Sequence, residues 1–170
     1  MEKMRAFIGL EPSPQTKISI ANWRERAYPQ LRGEIPIENL HLTLCFLGNI
    51  DEQQLEEITQ LDSIATYLQL NSQEVGYFAK PAIGFLAVEL TSQLAQLQAQ
   101  LVKQISSLMR LRKQSQFVPH ISFCRDVDSP LPAPAVAPDF QFEMDAYHLY
   151  ESLPGKGRVH YRIIHTWNRI

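Results

Sequence analysis

Two short segments carry a histidine and a hydroxyl two residues apart: His41-Leu42-Thr43-Leu44 and His120-Ile121-Ser122-Phe123. On a β-strand, alternate side chains share a face. His41 and Thr43 therefore point together while Leu42 and Leu44 face a core, and the second segment repeats the pattern. Two such strands side by side offer two imidazoles and two hydroxyls to one ligand. That set suits displacement at phosphorus, which needs a base for the attacking oxygen and an acid for the leaving one. Histidine does either near neutral pH. The hydroxyls can hydrogen-bond the non-bridging oxygens where charge builds up. Arg125, just past the second segment, is the nearest cation for a charge-assisted phosphate contact.

Other chemistries fit less well. A single His-x-Ser says almost nothing, but two matched segments in separate halves of the chain favour function over chance. Zinc would want three or four ligands at characteristic spacings, and the sequence has no HxH, HxxxH or CxxC. Cys45 and Cys124 each follow their histidine by four residues. Strand phase puts both toward the site, yet no third group stands ready to orient a Cys–His pair. Both are expected to be reduced, largely buried thiols near the cleft floor, and a reducing compartment fits.

The elements that must position these residues are legible in outline. Met4–Leu10 reads as a strand, and Ser13 and Pro14 open a helix to about Tyr28. Leu40–Leu47 is a strand that Gly48-Asn49 ends. Asp51 caps a second helix, with Gln54 in capping-box position and an apolar stripe at Leu55, Ile58, Leu61, Ala65 and Leu68. Strands follow near Ser72–Phe78 and Ile83–Leu90. A third helix carries Leu94, Leu97, Leu101, Ile105 and Leu108. Val118–Cys124 is a strand, and Pro130–Pro138 is an extended linker. Two closing strands, Phe140–Tyr150 and Val159–Trp167, flank the turn Gly155-Lys-Gly157. The order lacks strict βαβ alternation, so the fold class is α+β with antiparallel sheets. The paired motifs look like a weak internal duplication, giving two lobes around a cleft.

Bulk properties set limits. The chain has 170 residues, 45% apolar and 20% charged, which is globular composition. A chain this long buries roughly two-thirds of its unfolded surface and needs no metal or disulfide to fold. Its net charge of −2 excludes a bulk basic nucleic-acid binder. Charge is uneven, with acids at Asp51, Glu52, Glu56, Glu57 and Asp62. Bases gather at Lys103, Arg110, Arg112 and Lys113, and again at Lys156, Arg158, Arg162 and Arg169. Solvated faces explain most of these, and a local basic face for a few phosphates stays open. No apolar run approaches the roughly 20 residues of a membrane span. Met1-Glu-Lys-Met-Arg5 runs straight into a strand and reads as no secretory leader.

At these residues the chain resembles the RNA 2',3'-cyclic phosphodiesterases, also called 2'-5' RNA ligases, of the two-histidine phosphoesterase superfamily. The resemblance rests on Met4–Leu10, on Asn39-Leu-His-Leu-Thr-Leu-Cys-Phe-Leu-Gly48, and on Phe117-Val-Pro-His-Ile-Ser-Phe-Cys-Arg125. Leu149-Tyr-Glu-Ser152, Gly157, Tyr161 and Trp167 extend it to the closing region. It implies one bilobal domain over residues 1–170, with two pseudo-symmetric lobes, each an antiparallel β-sheet with flanking helices, around a central cleft. It implies hydrolysis of RNA 2',3'-cyclic phosphate ends to 2'-phosphate without metal or cofactor, with reversible 2'-5' ligation as an accompanying reaction.

By position, the resemblance makes His41 and His120 catalytic and Thr43, Ser122 and Arg125 phosphate-binding. Ser122 departs from the commoner threonine and loses the methyl that restrains the rotamer. Phe7 and Phe78 fall at family aromatic positions, where base stacking competes with burial in the core. The implied partner is an RNA end or small cyclic nucleotide. A cytoplasmic monomer off the membrane is expected. Other 2'-linked or cyclic nucleotides, such as a 2'-5' oligoadenylate, and a non-catalytic RNA-end binder are the competing readings. His148, His160 and His165 match no motif and are read as structural or surface residues. Lys156 and Arg158 form either a mobile rim or an ordinary polar turn.

Overall fold

The computed structural model describes residues 2–64, 67–112 and 116–168. Met1, Ala65, Lys113 and Arg169, cited above for a leader, a helical stripe and basic clusters, lie outside them. The elements in chain order are β1 (Met4–Leu10), α1 (Pro14–Ala27), a 3₁₀ turn (Ile37–Asn39), β2 (Leu42–Ile50), α2 (Glu52–Thr59), β3 (Leu68–Phe78) and β4 (Ile83–Val88). After these come α3 (Ser92–Ser106), β5 (His120–Cys124), β6 (Gln141–Met144), β7 (Ala146–Pro154) and β8 (Val159–Asn168).

Local chemistry starts the helices as the sequence indicates. The Ser13 hydroxyl accepts from the Thr16 backbone N–H at 3.2 Å, with Pro14 at the first helical position. Asp51 and Gln54 close a reciprocal capping box at 2.8 and 3.0 Å. α3 buries Leu94, Leu97, Leu101 and Ile105.

All eight strands join one antiparallel sheet in the order β6-β3-β4-β5-β2-β1-β7-β8. The α+β class is therefore present, and the two sheets expected of the lobes are halves of one sheet. β2 and β5 meet through the register pair Leu42↔Ile121. On one side, β1 leads through α1 into β2. On the other, β4 leads through α3 into β5. Each histidine motif thus sits on the strand at the seam, beside the strand that precedes it in its own unit. The helices cross beneath the opposite half. In α1, Trp23 packs edge-on against Phe123 of β5 at 5.3 Å, and Arg24 donates to the Phe123 carbonyl at 2.9 Å. In α3, Gln98 reaches the Leu44 carbonyl of β2 at 3.4 Å. This exchange buries apolar surface under both halves and holds the seam together.

Four expectations need correction. The second helix stops at Thr59. Leu68, placed on its stripe by period, instead pairs with Met144 in the β3–β6 ladder. Tertiary pairing outweighs helical spacing there, because Leu68 is buried only in the strand. Gly48 does not end β2. It takes φ +73°, a left-handed value that suits glycine, at an irregularity in the β1–β2 pairing, and the strand runs on to Ile50. The closing strands number three rather than two, because the chain changes partner at Asp145: β6 pairs with β3 and β7 with β1. The fourth correction, the phase of Cys45, belongs to the site.

Candidate active site

Leu42 and Ile121 are both fully buried, pointing into the core from the seam. Continuing their antiparallel register one residue each way sets His41 opposite Ser122 and Thr43 opposite His120. Residues opposed in this way have Cα atoms about 4.5–5.5 Å apart. All four side chains are half-buried on the other face of the sheet. The two imidazoles feel each other electrostatically: a charge on His120 disfavours a charge on His41. The structure brings His41, Thr43, His120 and Ser122 together as strand phase predicts.

Each imidazole is clamped in the same way. His41 Nδ1 donates to the Asn39 carbonyl and His120 Nδ1 to the Val118 carbonyl, both at 2.7 Å and both two residues back. A carbonyl oxygen can only accept, so the neutral rings are the Nδ1–H tautomer and Nε2 keeps its lone pair. Nε2 of His41 accepts from the Thr43 hydroxyl at 3.0 Å. The Ser122 hydroxyl has no protein partner among the described residues.

Both rings are biased toward neutrality. Burial lowers His41 to about 4; His120 and Lys17 push the same way, while the Asn39 carbonyl and Glu11 oppose them. Burial also lowers His120, opposed by the Val118 carbonyl. Aromatic rings supply the dry walls. Phe7, Tyr150 and Tyr161 pack around His41 at 4.9, 5.9 and 4.9 Å. Phe78 and Phe85 pack around His120 at 5.1 and 5.2 Å. Low polarity disfavours the imidazolium and strengthens each hydrogen bond formed with a substrate oxygen.

Arg125 leaves β5 toward the β7–β8 hairpin, and its Nη2 donates to the Gly157 carbonyl at 3.4 Å. Its backbone N–H donates to the Gly33 carbonyl at 2.8 Å. Gly33 has φ +75°, and a Cβ there would strike the Arg125 carbonyl, so only glycine fits this approach. Arg125 also acts electrostatically on Tyr161, which touches His41. The cation is thus tied to the rim of the histidine cluster. Lys156 and Arg158 are exposed at the same hairpin tip.

The phase of Cys45 differs from expectation. Thr43 pairs with Gly9 but Cys45 with Ile8, so Leu44 is an extra residue in β2. This bulge flips the strand phase. Leu44 and Cys45 are both buried, Cys45 at 1% exposure, and Phe46 emerges with 59% exposure beside Phe7 on the site face. Cys124 is fully buried too. Both are free, buried thiols, as expected, and burial raises both, Cys45 to about 11. Phe7 takes the core role that competed with base stacking. It is 4% exposed, stacked on Tyr150 at 4.8 Å, and has no free face for a base. Phe78 is half-buried and stacked on Phe85 at 4.3 Å.

The other histidines divide. His160 is exposed. His165 packs against Trp167 at 4.6 Å. His148 Nδ1 hydrogen-bonds the Thr166 hydroxyl at 2.8 Å. Phe46, Tyr150 and Asn39 fall in the resembling segments, but sequence gives them no role. The bulge hid Phe46, and Tyr150 and Asn39 act through pairings distant in sequence. Among the described residues no group of three or more His, Cys, Asp or Glu side chains could hold a metal ion. No helix among them is long and apolar enough to cross a membrane.

A pseudo-symmetric α+β fold with a paired imidazole–hydroxyl set at its seam defines a two-histidine phosphoesterase architecture. Comparison with known proteins agrees. The model of the 2'-5' RNA ligase superfamily matches residues 11–155, and the chain belongs to that family. The RNA 2',3'-cyclic phosphodiesterase of Escherichia coli K12 is 24% identical over 170 residues, covering 98% of this chain and 97% of that protein. The protein of the same name from Thermotoga maritima is 30% identical over 132 residues, covering 72% of this chain and 70% of that protein. The crystal structure of E. coli LigT complexed with 3'-AMP superimposes with a TM-score of 0.84 at 23% identity, covering 98% of each chain.

Proposed function

We propose that this chain hydrolyses 2',3'-cyclic phosphate ends of RNA to 2'-phosphates, with His41 and His120 as its acid–base pair. The observation that carries the reading is the matched clamp on the two rings. Each Nδ1–H is fixed by a carbonyl two residues back. This reserves both Nε2 atoms for proton exchange with one ligand once the Thr43 hydroxyl, which bonds His41 Nε2 in the free protein, turns to the phosphate. The names of the E. coli and T. maritima relatives support the substrate class.

In this reaction water attacks phosphorus in line with the departing 3'-oxygen. The new P–O bond forms as the P–O3' bond breaks. One neutral imidazole takes the water proton at Nε2 while the other, protonated at Nε2, gives its proton to the 3'-oxygen. Thr43 and Ser122 donate to non-bridging oxygens, and Arg125 adds charge at the rim. With an RNA 5'-hydroxyl attacking phosphorus in place of water, the same proton transfers would break the P–O3' bond and form a 2'-5' link. The reading treats residues 1–170 as one catalytic unit.

The test is product analysis on a 2',3'-cyclic nucleotide in excess chelator. The expected product is the 2'-phosphate alone, at an undiminished rate. A 3'-phosphate product, or activity lost to chelator and restored by a divalent metal, overturns the reading.

A further inference from the structure

Asn39 lies two residues before His41 and is 7% exposed. Its backbone and side chain hold different parts of the molecule. Its carbonyl accepts from His41 Nδ1 at 2.7 Å. Its side-chain Nδ2 donates to the Val159 carbonyl at 2.8 Å, across 120 residues of sequence. Val159 is the first residue of β8, paired with Pro154 beside the turn of the β7–β8 hairpin. The tip of that hairpin is gripped from the other half of the sheet, where Arg125 donates to the Gly157 carbonyl. One residue flanking each histidine motif therefore holds the same hairpin. Two residues past Val159, Tyr161 packs its ring edge-on to His41 at 4.9 Å.

The second histidine has no side-chain anchor of this kind among the described residues. The carbonyl that clamps His120 belongs to Val118, whose side chain is apolar and 45% exposed. Although the two rings share a backbone clamp, among the described residues only the His41 clamp is tied to a distant element by its own residue's side chain. On the other side the tie is backbone, the Pro119 carbonyl accepting from the Val88 N–H of β4 at 3.1 Å.

Resting on the acid–base reading above, we propose that Asn39 is a positioning residue: through Val159 it fixes the peptide whose carbonyl holds His41, and so makes the β7–β8 hairpin set that ring's orientation and tautomer. A hydrogen bond weakens steeply as its donor leaves the favoured angle. The 3₁₀ turn holds the same peptide from one side, its Leu40 N–H donating to the Ile37 carbonyl at 3.1 Å, and the Asn39 side chain adds the tie to β8. Loosening that tie lets the ring turn and sample its other tautomer. The Nε2–H tautomer has no lone pair at the atom that must take a proton. Groups that orient a metal-ligating imidazole are worth about 10–100-fold when removed, and the same order is expected for one that orients a proton-transferring ring.

The experiment uses the full chain with ¹⁵N-labelled histidine, and two variants, Asn39→Asp and Asn39→Ala. Asn39→Asp keeps size and shape but replaces the donor with an acceptor facing the Val159 carbonyl. In the unaltered protein, the His41 ring nitrogens should report one Nδ1–H tautomer at a pH where the ring is neutral. In Asn39→Asp they should shift to a tautomer mixture while the His120 signals stay in place. On a 2',3'-cyclic nucleotide, kcat should fall about 10–100-fold with KM changed by less than about threefold, the pattern of an interaction felt in the transition state. Asn39→Ala should behave alike where it folds. A mixed tautomer already present in the unaltered protein overturns the proposal. So do unmoved His41 signals in folded Asn39→Asp, or a loss confined to KM. The nitrogen spectra need no substrate, so they decide this proposal even if the enzymatic reading fails.

Discussion

Leu42 and Ile121 face each other at the seam of the sheet, both with 0% exposure. An approximate two-fold relation between them exchanges His41 with His120 and Thr43 with Ser122. The two units β1–α1–β2 and β4–α3–β5 obey the same exchange. The symmetry ends at the side chains. Thr43 hydrogen-bonds its histidine while Ser122 bonds no protein group among the described residues, and Asn39 is anchored where Val118 is not. A symmetric scaffold with unequal rings suits a reaction in which one imidazole must be neutral while the other is protonated.

Replacing either ring should therefore stop the chemistry without unfolding the protein. His41→Ala and His120→Ala are each expected to lose roughly 10²–10⁴-fold in kcat on a 2',3'-cyclic substrate. Thr43→Ala and Ser122→Ala should each cost on the order of 10²-fold, through one lost hydrogen bond to developing charge. Thr43→Ser should be tolerated, since position 122 carries serine. Single-mutant rates on protein checked for folding by circular dichroism are the measurement. Near-normal rates in both histidine variants would end the acid–base assignment.

The pH dependence should carry the mark of burial. His41 is lowered to about 4 and His120 is lowered as well, so both rings of the free enzyme are neutral at pH 7. The productive form needs one proton on the pair. Its population grows as pH falls toward the lowered values, so the optimum of kcat/KM should lie below the ordinary 6.5. A bound phosphate raises both rings by attraction, so the optimum of kcat should lie higher. The limbs belong to the coupled pair rather than to single residues. A kcat/KM optimum on the alkaline side of neutrality contradicts this.

How far the sequence reveals this site follows from the reach of the interactions involved. His41, Thr43, His120 and Ser122 were placed on one face by period-two alternation, a property of a few consecutive residues. The caps at Ser13 and Asp51 were readable for the same reason. Cys45 was misplaced because one inserted residue, Leu44, inverts a strand's phase, and nothing in Leu-Thr-Leu-Cys marks the insertion. Leu68 was misread because a leucine at helical spacing serves a strand equally well when Met144 waits to pair with it. Asn39 could not be weighed at all, since its partner Val159 is distant in sequence and contributes only a backbone carbonyl.

The corrected phase makes a prediction about the thiols. Only a thiolate reacts readily, and burial raises both Cys45 and Cys124. In native protein near pH 8, a thiol titrant should modify neither on a timescale of minutes, and both should react after denaturation. One rapidly modified cysteine in native protein would mean that β2 or β5 lacks the burial described.

The same buried imidazole should make folding sensitive to mild acid. His41 is lowered from 6.5 to about 4 in the folded chain, so between those values the unfolded state binds the extra proton. Stability rises with pH wherever the unfolded state holds more protons. The His41 contribution is thus fully present above about pH 6.5 and is lost as pH falls toward 4. Each pKa unit corresponds to about 1.4 kcal/mol, so a lowering of about two and a half units makes the loss on the order of 3 kcal/mol. His120 and His148, also lowered by burial, act with the same sign. Thermal melts from pH 7 to pH 4 should show Tm falling, and His41→Gln, which cannot take up the proton, should flatten part of the fall. The comparison must be between variant and unaltered protein at each pH, because the carboxylates titrate near the lower end of the window in both. Parallel Tm curves for the two proteins would mean that His41 stays solvated in the folded state, and the dry wall of Phe7, Tyr150 and Tyr161 would have to be redrawn.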